Sequence, residues 1–393
     1  MSFPWIKRMD KWLPGYLCSV ISRPRLVNRP IHLIFALVDH FEPPAPFSEK
    51  DIKTGSERIS RWVREYPPLI ESFVDSDGFH PKQTFFFPAE KYHKTYLDGL
   101  THICSRGLGE VEIHLHHDHD TEAGLRQKLC RFRDLLHLDH GFLGTDSQKR
   151  PRYAFIHGNW ALCNSHPGGK FCGVNNELSI LKETGCYVDM TMPSGASPTQ
   201  TKTVNAAYYA SDKAGQPRSH DYGLPVRVRP GTTRQPAGKE GQRATAKEAS
   251  MPAAKEALML IQGPLALNWR WRKWGIFPRF EQADICGSNP PKPQRVNLWV
   301  HQHIHVQGRP EWVLIKIHTH GCQTRNMRVL LGDPIQELHR YLTTHYNDGR
   351  NFYLHYVTAR EMYNIVRAAE AGATGNPGEF RNFEIQPPKI SPF

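Results

Sequence analysis

The chain has no apolar run long enough to cross a bilayer, no Cys-x-x-Cys pair among its eight cysteines, and no block of lysine and arginine interleaved with aromatics. The first absence excludes a membrane-spanning helix. The second argues against a disulfide framework or a thiolate zinc site and leaves the cysteines as reduced core residues. The third removes the usual footprint of a nucleic-acid binder, so no nucleic-acid partner is expected. Acidic residues are outnumbered, 38 against 50 lysines and arginines, for a net charge of +12. That excess is spread along the chain and suits a polyanion or a membrane surface without selecting either. Met1 to Pro30 lacks the apolar stretch of a signal peptide, which makes a cytoplasmic location the simplest expectation. Within it, Trp12, Leu13, Tyr16 and Leu17 stand beside Lys7, Arg8 and Lys11, a composition compatible with peripheral contact at a membrane surface.

What is present is enough apolar material, 39% of 393 residues, for one large core. Apolar runs of strand length fall at 31–39, 84–88, 111–117, 153–157, 186–191, 258–262, 312–318 and 352–357, with amphipathic helical segments between them. Helix ends are marked: Asp120-Thr121 opens a segment closed by Gly141, Asn175 opens one closed by Gly185, Asp333-Pro334 starts another, and Thr358 with Glu361 forms a capping box. Eight strands in βα alternation predict a (β/α) barrel of seven or eight strands, closed or nearly so. The domain reading is an N-terminal arm over 1–30, a single barrel domain over 31–371, and a C-terminal tail over 372–393. Between about 210 and 256, large apolar residues nearly vanish, and the stretch reads as a flexible surface insertion.

The chemistry concentrates where strands end. Residues 110–121 read Glu-Val-Glu-Ile-His-Leu-His-His-Asp-His-Asp-Thr. Alternation puts Glu112, His114 and His116 on one face, opposite Val111, Ile113 and Leu115. Imidazole and carboxylate at that density suit a borderline divalent cation such as zinc. Four further strand ends carry polar groups: Asp39, His40 and Glu42; His157, Asn159 and Trp160; Asp189; and His318 with His320, which share a face. In parallel α/β architectures that end of the sheet carries the site. His355 in the last strand is a further pocket candidate, and His301, His303 and His305 alternate as an accessory cation site would need, although their run Trp299 to Val306 reads equally well as an edge hairpin.

In this order the motifs resemble those of the polysaccharide deacetylases, carbohydrate esterase family 4, within the wider group of barrel-fold glycoside hydrolases and deacetylases. Val38-Asp39-His40 is similar to the family's Asp-Asp motif, His114 onward to its His-x-x-x-His motif, and His157 to Trp160 to its substrate-shaping loop. Tyr187-Val188-Asp189 and Ile317-His318 are similar to its two late motifs. The resemblance implies a TIM-like barrel of the glycoside hydrolase/deacetylase type. It also implies a hydrolase that uses one divalent metal, zinc or else nickel, cobalt or manganese, to deacetylate an N-acetylated amino sugar in a polysaccharide or glycoconjugate. It would make Asp39 the base, His318 the acid with His320 or Asp189 orienting it, and Glu42, His157, Asn159, Trp160 and His355 substrate contacts. The chain departs from the family at two ligand positions, having His40 for Asp and Asp118 for His. The ligands would then be His40, His114 and Asp118, or alternatively Asp39, His114 and His116.

Three other readings compete. His114-Leu-His116-His-Asp118-His119 also resembles the His-x-His-x-Asp-His motif of metallo-β-lactamase-fold hydrolases, which hold two metals. A glycoside hydrolase would need two facing carboxylates, for which Asp39 with Asp189 or Glu42 are available. A barrel that binds carbohydrate without catalysis is the third.

Overall fold

The computed structural model describes residues 8–24, 30–229 and 257–390. All eight sequence-predicted strands are present. They are β1 (Ile31–His40), β2 (Gln83–Pro88), β3 (Gly109–Leu115), then after the two-residue β4 (Gly144–Thr145), β5 (Pro151–His157) and β6 (Cys186–Asp189). Two strands outside the predicted set follow, β7 (Ala207–Ala210) and β8 (Leu224–Pro225), before β9 (Leu258–Ile261). A separate hairpin of β10 (Ala266–Lys273) and β11 (Phe277–Glu281) precedes β12 (Asp284–Ile285), β13 (Trp312–Thr319) and β14 (Phe352–Tyr356).

β1 pairs with three other strands. β13 pairs along one edge, and the other edge is shared, β14 taking residues 31–35 and β2 taking 37–40. From β2 the order continues β3, β5, β6, β9, all parallel, and ends in antiparallel β7 and β8. The fold is therefore α/β with a mostly parallel sheet. No ladder among the described residues joins β9 or β8 to β13. Single bridges, Arg227 to Gln307 and Ile304 to Leu314, cross that interval, and Lys316 Nζ donates to the carbonyls of Met190 and Met192 at 2.6 Å each.

Period-two alternation divides the core. Leu33, Phe35 and Leu37 of β1 face an outer layer of helices that includes α2 (Glu49–Ile70), α3 (Lys94–Cys104), α4 (Glu122–Leu138) and α5 (Glu177–Glu183). Ile34, Ala36 and Val38 face inward. After α6 (Pro293–Gln302), α7 (Thr324–Leu330) and α8 (Asp333–His345), the chain returns as α9 (Ala359–Glu370), which packs on that inner face and buries every residue except Arg367. Side chains alone fill the interior of an ordinary eight-stranded barrel. Here α9 lies against the inner face as well, and the expected closed ring of strands is not completed by any ladder among the described residues. The Thr358–Glu361 capping box is formed, as is the Thr121 cap of α4.

The N-terminal arm contains α1 (Met9–Ser22), whose Trp12 and Tyr16 pack with Val204, Leu265 and Ala266. The described part of the expected surface insertion is mixed, with residues 213–217 and 222–224 exposed and a few residues held against the domain. Asp212 accepts from the Ser179 N–H at 2.7 Å, and Ser219, His220 and Asp221 are buried; residues 230–256 lie outside the described residues. The tail packs too, Arg381 being buried beside Asp75 and Asp77. Residues 299–302 are helical, the end of α6, rather than the edge hairpin expected.

Buried neutral histidines make acid a stress on this fold. Burial pushes His339, held against Phe35, Phe73 and Tyr356, down to about 3, and His220 down to about 4, from the usual 6.5. The unfolded chain therefore binds more protons below pH 6.5. The stability these residues contribute is complete above 6.5 and is lost as pH falls toward 4, roughly 3 kcal/mol for His220 alone. Urea unfolding at pH 7.5 and 4.5 should show that loss, and His339→Leu should flatten the slope. An unchanged slope in the variant would show that His339 is not held neutral.

Candidate functional site

β1, β3 and β13 deliver their last inward-facing residues to one place. His40 closes β1, His114 and His116 leave β3, and His318 and His320 leave β13. His40 stacks on His320 at 4.6 Å between ring centres and meets His114 edge-on at 5.0 Å. Glu42, just beyond β1, places its Oε1 among them, 3.5 Å from His114 Nε2, 3.8 Å from His116 Nε2 and 3.9 Å from His320 Nε2.

The surroundings fix the imidazoles with lone pairs inward. His114 Nδ1–H donates to the Ile156 carbonyl at 2.8 Å, and its buried Nε2 has no hydrogen-bond partner among the described residues. His116 Nδ1–H donates to Glu90 Oε1 at 2.5 Å. A ring nitrogen tied to a carbonyl or carboxylate with the other left open is the arrangement that metal-ligating histidines adopt. Gly158 makes room, since a β-carbon there would stand 2.8 Å from the His116 Cα. Burial pushes the Glu42 carboxyl up, but His114, Lys91 and His116 outweigh it and hold it well below the carboxylate range. Lys91 Nζ donates to its other oxygen at 2.9 Å. Burial holds His40 and His318 well below 6.5 and brings His320 to about 4, so all three are neutral at pH 7. Trp160 forms a wall, 5.9 Å from both His40 and His320.

Several expected site residues lie elsewhere. Asp39 precedes His40 by one residue and so faces the other way. It accepts from the Gly321 N–H and from Gln83, and burial pushes it up to about 8 against both bonds. It anchors the turn that follows His320. Asp118 is half exposed, pairs with His119 and accepts from the Phe171 N–H at 2.6 Å, because the chain has left the strand by that point. The Asp118–His119 half of a two-metal motif is therefore not assembled. Asp189 is bound to Thr191, and burial brings it to about 7. Asn159 is exposed beside Trp160. His355 bonds Asp77 at 2.8 Å and His32 at 2.9 Å, in a network closed by Arg381; β14 pairs only the first half of β1, which keeps His355 from the pocket.

His157 also faces outward, since Ala154 and Ile156 take the inner face of β5. It joins a fully buried group with His117, Cys172 and Glu177 that could hold a metal ion. Burial pushes the Glu177 carboxyl up, but His157 and His117 outweigh it and bring it to about 2, while burial lowers His157 to about 4. Cys172 and Glu177 were not anticipated, nor were Glu90, Lys91 and Lys316, and His117 was anticipated only as part of the His-rich segment. Glu90 and Lys91 carried a usable signal, because they too follow directly on an apolar strand.

The fold and these clusters define an α/β protein with a mostly parallel sheet and histidine-rich groups suited to a divalent ion. No protein-family model matches the chain, and no curated protein matches it either. No helix among the described residues is long and apolar enough to cross a membrane.

Proposed function

We propose that the protein is a metal-dependent hydrolase that removes an acyl group, acetyl in the first instance, from an amino sugar of a glycan or glycoconjugate. The observation that carries this reading is the convergence of three imidazole Nε2 atoms on one carboxylate oxygen, Glu42 Oε1, at the C-terminal ends of β1, β3 and β13. His114, His116 and Glu42 would hold one ion, zinc or else nickel, cobalt or manganese; three protein ligands leave a position open for substrate. Such an ion supplies the Lewis acidity that polarises an acyl carbonyl and acidifies water.

The remaining roles fall to residues around it. Neutral His320 takes the proton of the attacking water and returns it to the departing amine. His40, stacked on it, fixes its ring, and Asp39 positions it by holding Gly321. Trp160 offers a sugar face an aromatic wall, with Asn159 at the rim. The substrate class rests on the resemblance to the deacetylases. The exposed hairpin residues Trp269, Trp274, Ile276 and Phe277, beside Arg270, Arg272 and Lys273, are where we place any peripheral membrane contact.

The test is release of acetate and free amine from N-acetylated oligosaccharides by protein reconstituted with each metal. Turnover that a chelator abolishes and the metal restores is expected. Metal-loaded protein that releases neither product from any N-acetylated oligosaccharide would overturn the deacetylase reading.

A further inference from the structure

We infer that His117, His157, Cys172 and Glu177 form a second, closed zinc site on the outer face of the sheet, one that staples the loop beneath the hydrolytic centre. Each residue offers one donor atom, these atoms lie within 4.8 Å of one another, and all four residues are buried. His117 Nε2 is 3.2 Å and His157 Nε2 3.3 Å from Glu177 Oε1, and Cys172 Sγ is 3.5 Å from Glu177 Oε2. Donors bound tetrahedrally to one zinc stand roughly 3.3–3.8 Å apart, given bonds of about 2.0–2.3 Å. The four donors therefore need little movement to share an ion.

The surrounding bonds point the same way. His157 Nδ1–H donates to the Gly158 carbonyl at 2.5 Å, and His157 Nε2, fully buried, has no hydrogen-bond partner among the described residues. His117 Nδ1 lies 3.3 Å from Asp120 Oδ2, and Glu177 Oε2 accepts from the Cys163 N–H at 2.6 Å. His157 thus has an outer partner on Nδ1 and an open Nε2, as ligating histidines do. His117 also turns Nε2 toward Glu177, with Asp120 as the nearest group to its buried Nδ1, which makes no hydrogen bond among the described residues. A thiolate among the donors favours zinc over magnesium, calcium or manganese, and four protein ligands leave no position for substrate, the mark of a structural site.

The staple has a mechanical purpose. Residues 158–176 contain only three-residue 3₁₀ turns, and Asn159, Trp160, Cys163, Asn164 and Phe171 all have positive φ, between 52° and 66°. Such a segment has little regular hydrogen bonding to hold it. One ion would tie it at Cys172 to the end of β5, the start of α5 and the exit of β3. His117 adjoins His116, and Gly158, on which His116 rests, adjoins His157, so the same ion would steady one ligand of the inner-face centre.

The experiment uses the untagged full-length protein, stripped and reloaded with cobalt(II) or zinc. Wild type and His114→Ala should both show a thiolate-to-cobalt charge-transfer absorption in the near ultraviolet. Cys172→Ser should lose that band and one equivalent of bound zinc by elemental mass spectrometry. Glu177→Gln should keep the thiolate but bind that zinc at least tenfold more weakly. Stripping wild type should lower its unfolding temperature, and zinc should restore it, which keeps the test decisive if Cys172→Ser fails to fold. Wild type that gives no thiolate band at saturating cobalt, or a band and stoichiometry unchanged in Cys172→Ser, would overturn the site.

Discussion

Replacing His114 with Ala is expected to remove the ion of the inner-face centre and its hydrolytic activity while leaving the chain folded. His114 is the best-determined of the candidate ligands. It is fully buried, the Ile156 carbonyl fixes its tautomer, and its Nε2 points at Glu42. Loss of an outer-shell partner commonly costs about 10–100-fold in metal affinity or activity, so loss of the ligand itself should cost more. The cavity should cost about 1–3 kcal/mol of stability, too little to unfold a domain of this size. Elemental mass spectrometry with thermal unfolding checks both halves. A variant that keeps its ion and its turnover would remove His114 from the ligand set. His320→Gln separates the roles further, since it should retain the metal and lose turnover by about 10²–10⁴-fold. Loss of metal from that variant would make His320 a ligand.

The strands were legible because each is a short apolar run bounded by turn residues, and all eight fell where periodicity placed them. Alternation also correctly paired His114 with His116 and His318 with His320. The same rule, applied one residue too loosely, misplaced Asp39, because on a strand the neighbour of His40 faces the opposite layer. Past the strand end periodicity stops informing, which is why Asp118 was expected in the centre and Glu42 only at its edge. The outer-face cluster draws Cys172 and Glu177 from a loop and a helix start, and no spacing in the sequence ties them to His117 and His157. The inner helix was hidden for a related reason. Its capping box was readable, but nothing in the spacing of Arg360 and Glu361 marks that first turn as buried. What makes their burial tolerable lies outside the helix: Glu110, 250 positions earlier, for Arg360, and Lys82 with Arg381 for Glu361.

The buried contact between Arg360 and Glu110 carries the largest stability effect expected outside the sites. Arg360 donates to both oxygens of Glu110, and also to the carbonyls of Arg381 and Ile385 and to Asn382 Oδ1. It joins α9, the start of β3 and the C-terminal tail. Burial alone would push the guanidinium pKa down, yet Glu110 and Glu361 hold it above its ordinary value. Arg360→Met keeps much of the volume but leaves Glu110 buried without its cation and Asn382 Oδ1 without a donor, while the Arg381 and Ile385 carbonyls keep only Asn364. Breaking a buried pair in this way costs about 3–5 kcal/mol. For a chain this long, that corresponds to a fall in unfolding temperature on the order of 10 °C. Arg360→Lys should recover little of it, because an ammonium cannot reproduce the planar fork that reaches all these acceptors. If the pair is the main term, Arg360→Met combined with Glu110→Gln should be clearly less destabilising than the sum of the two single variants. Denaturant unfolding of the four proteins measures this directly, and an Arg360→Met variant within about 1 kcal/mol of wild type would show that the helix holds its place on the inner face through apolar packing alone.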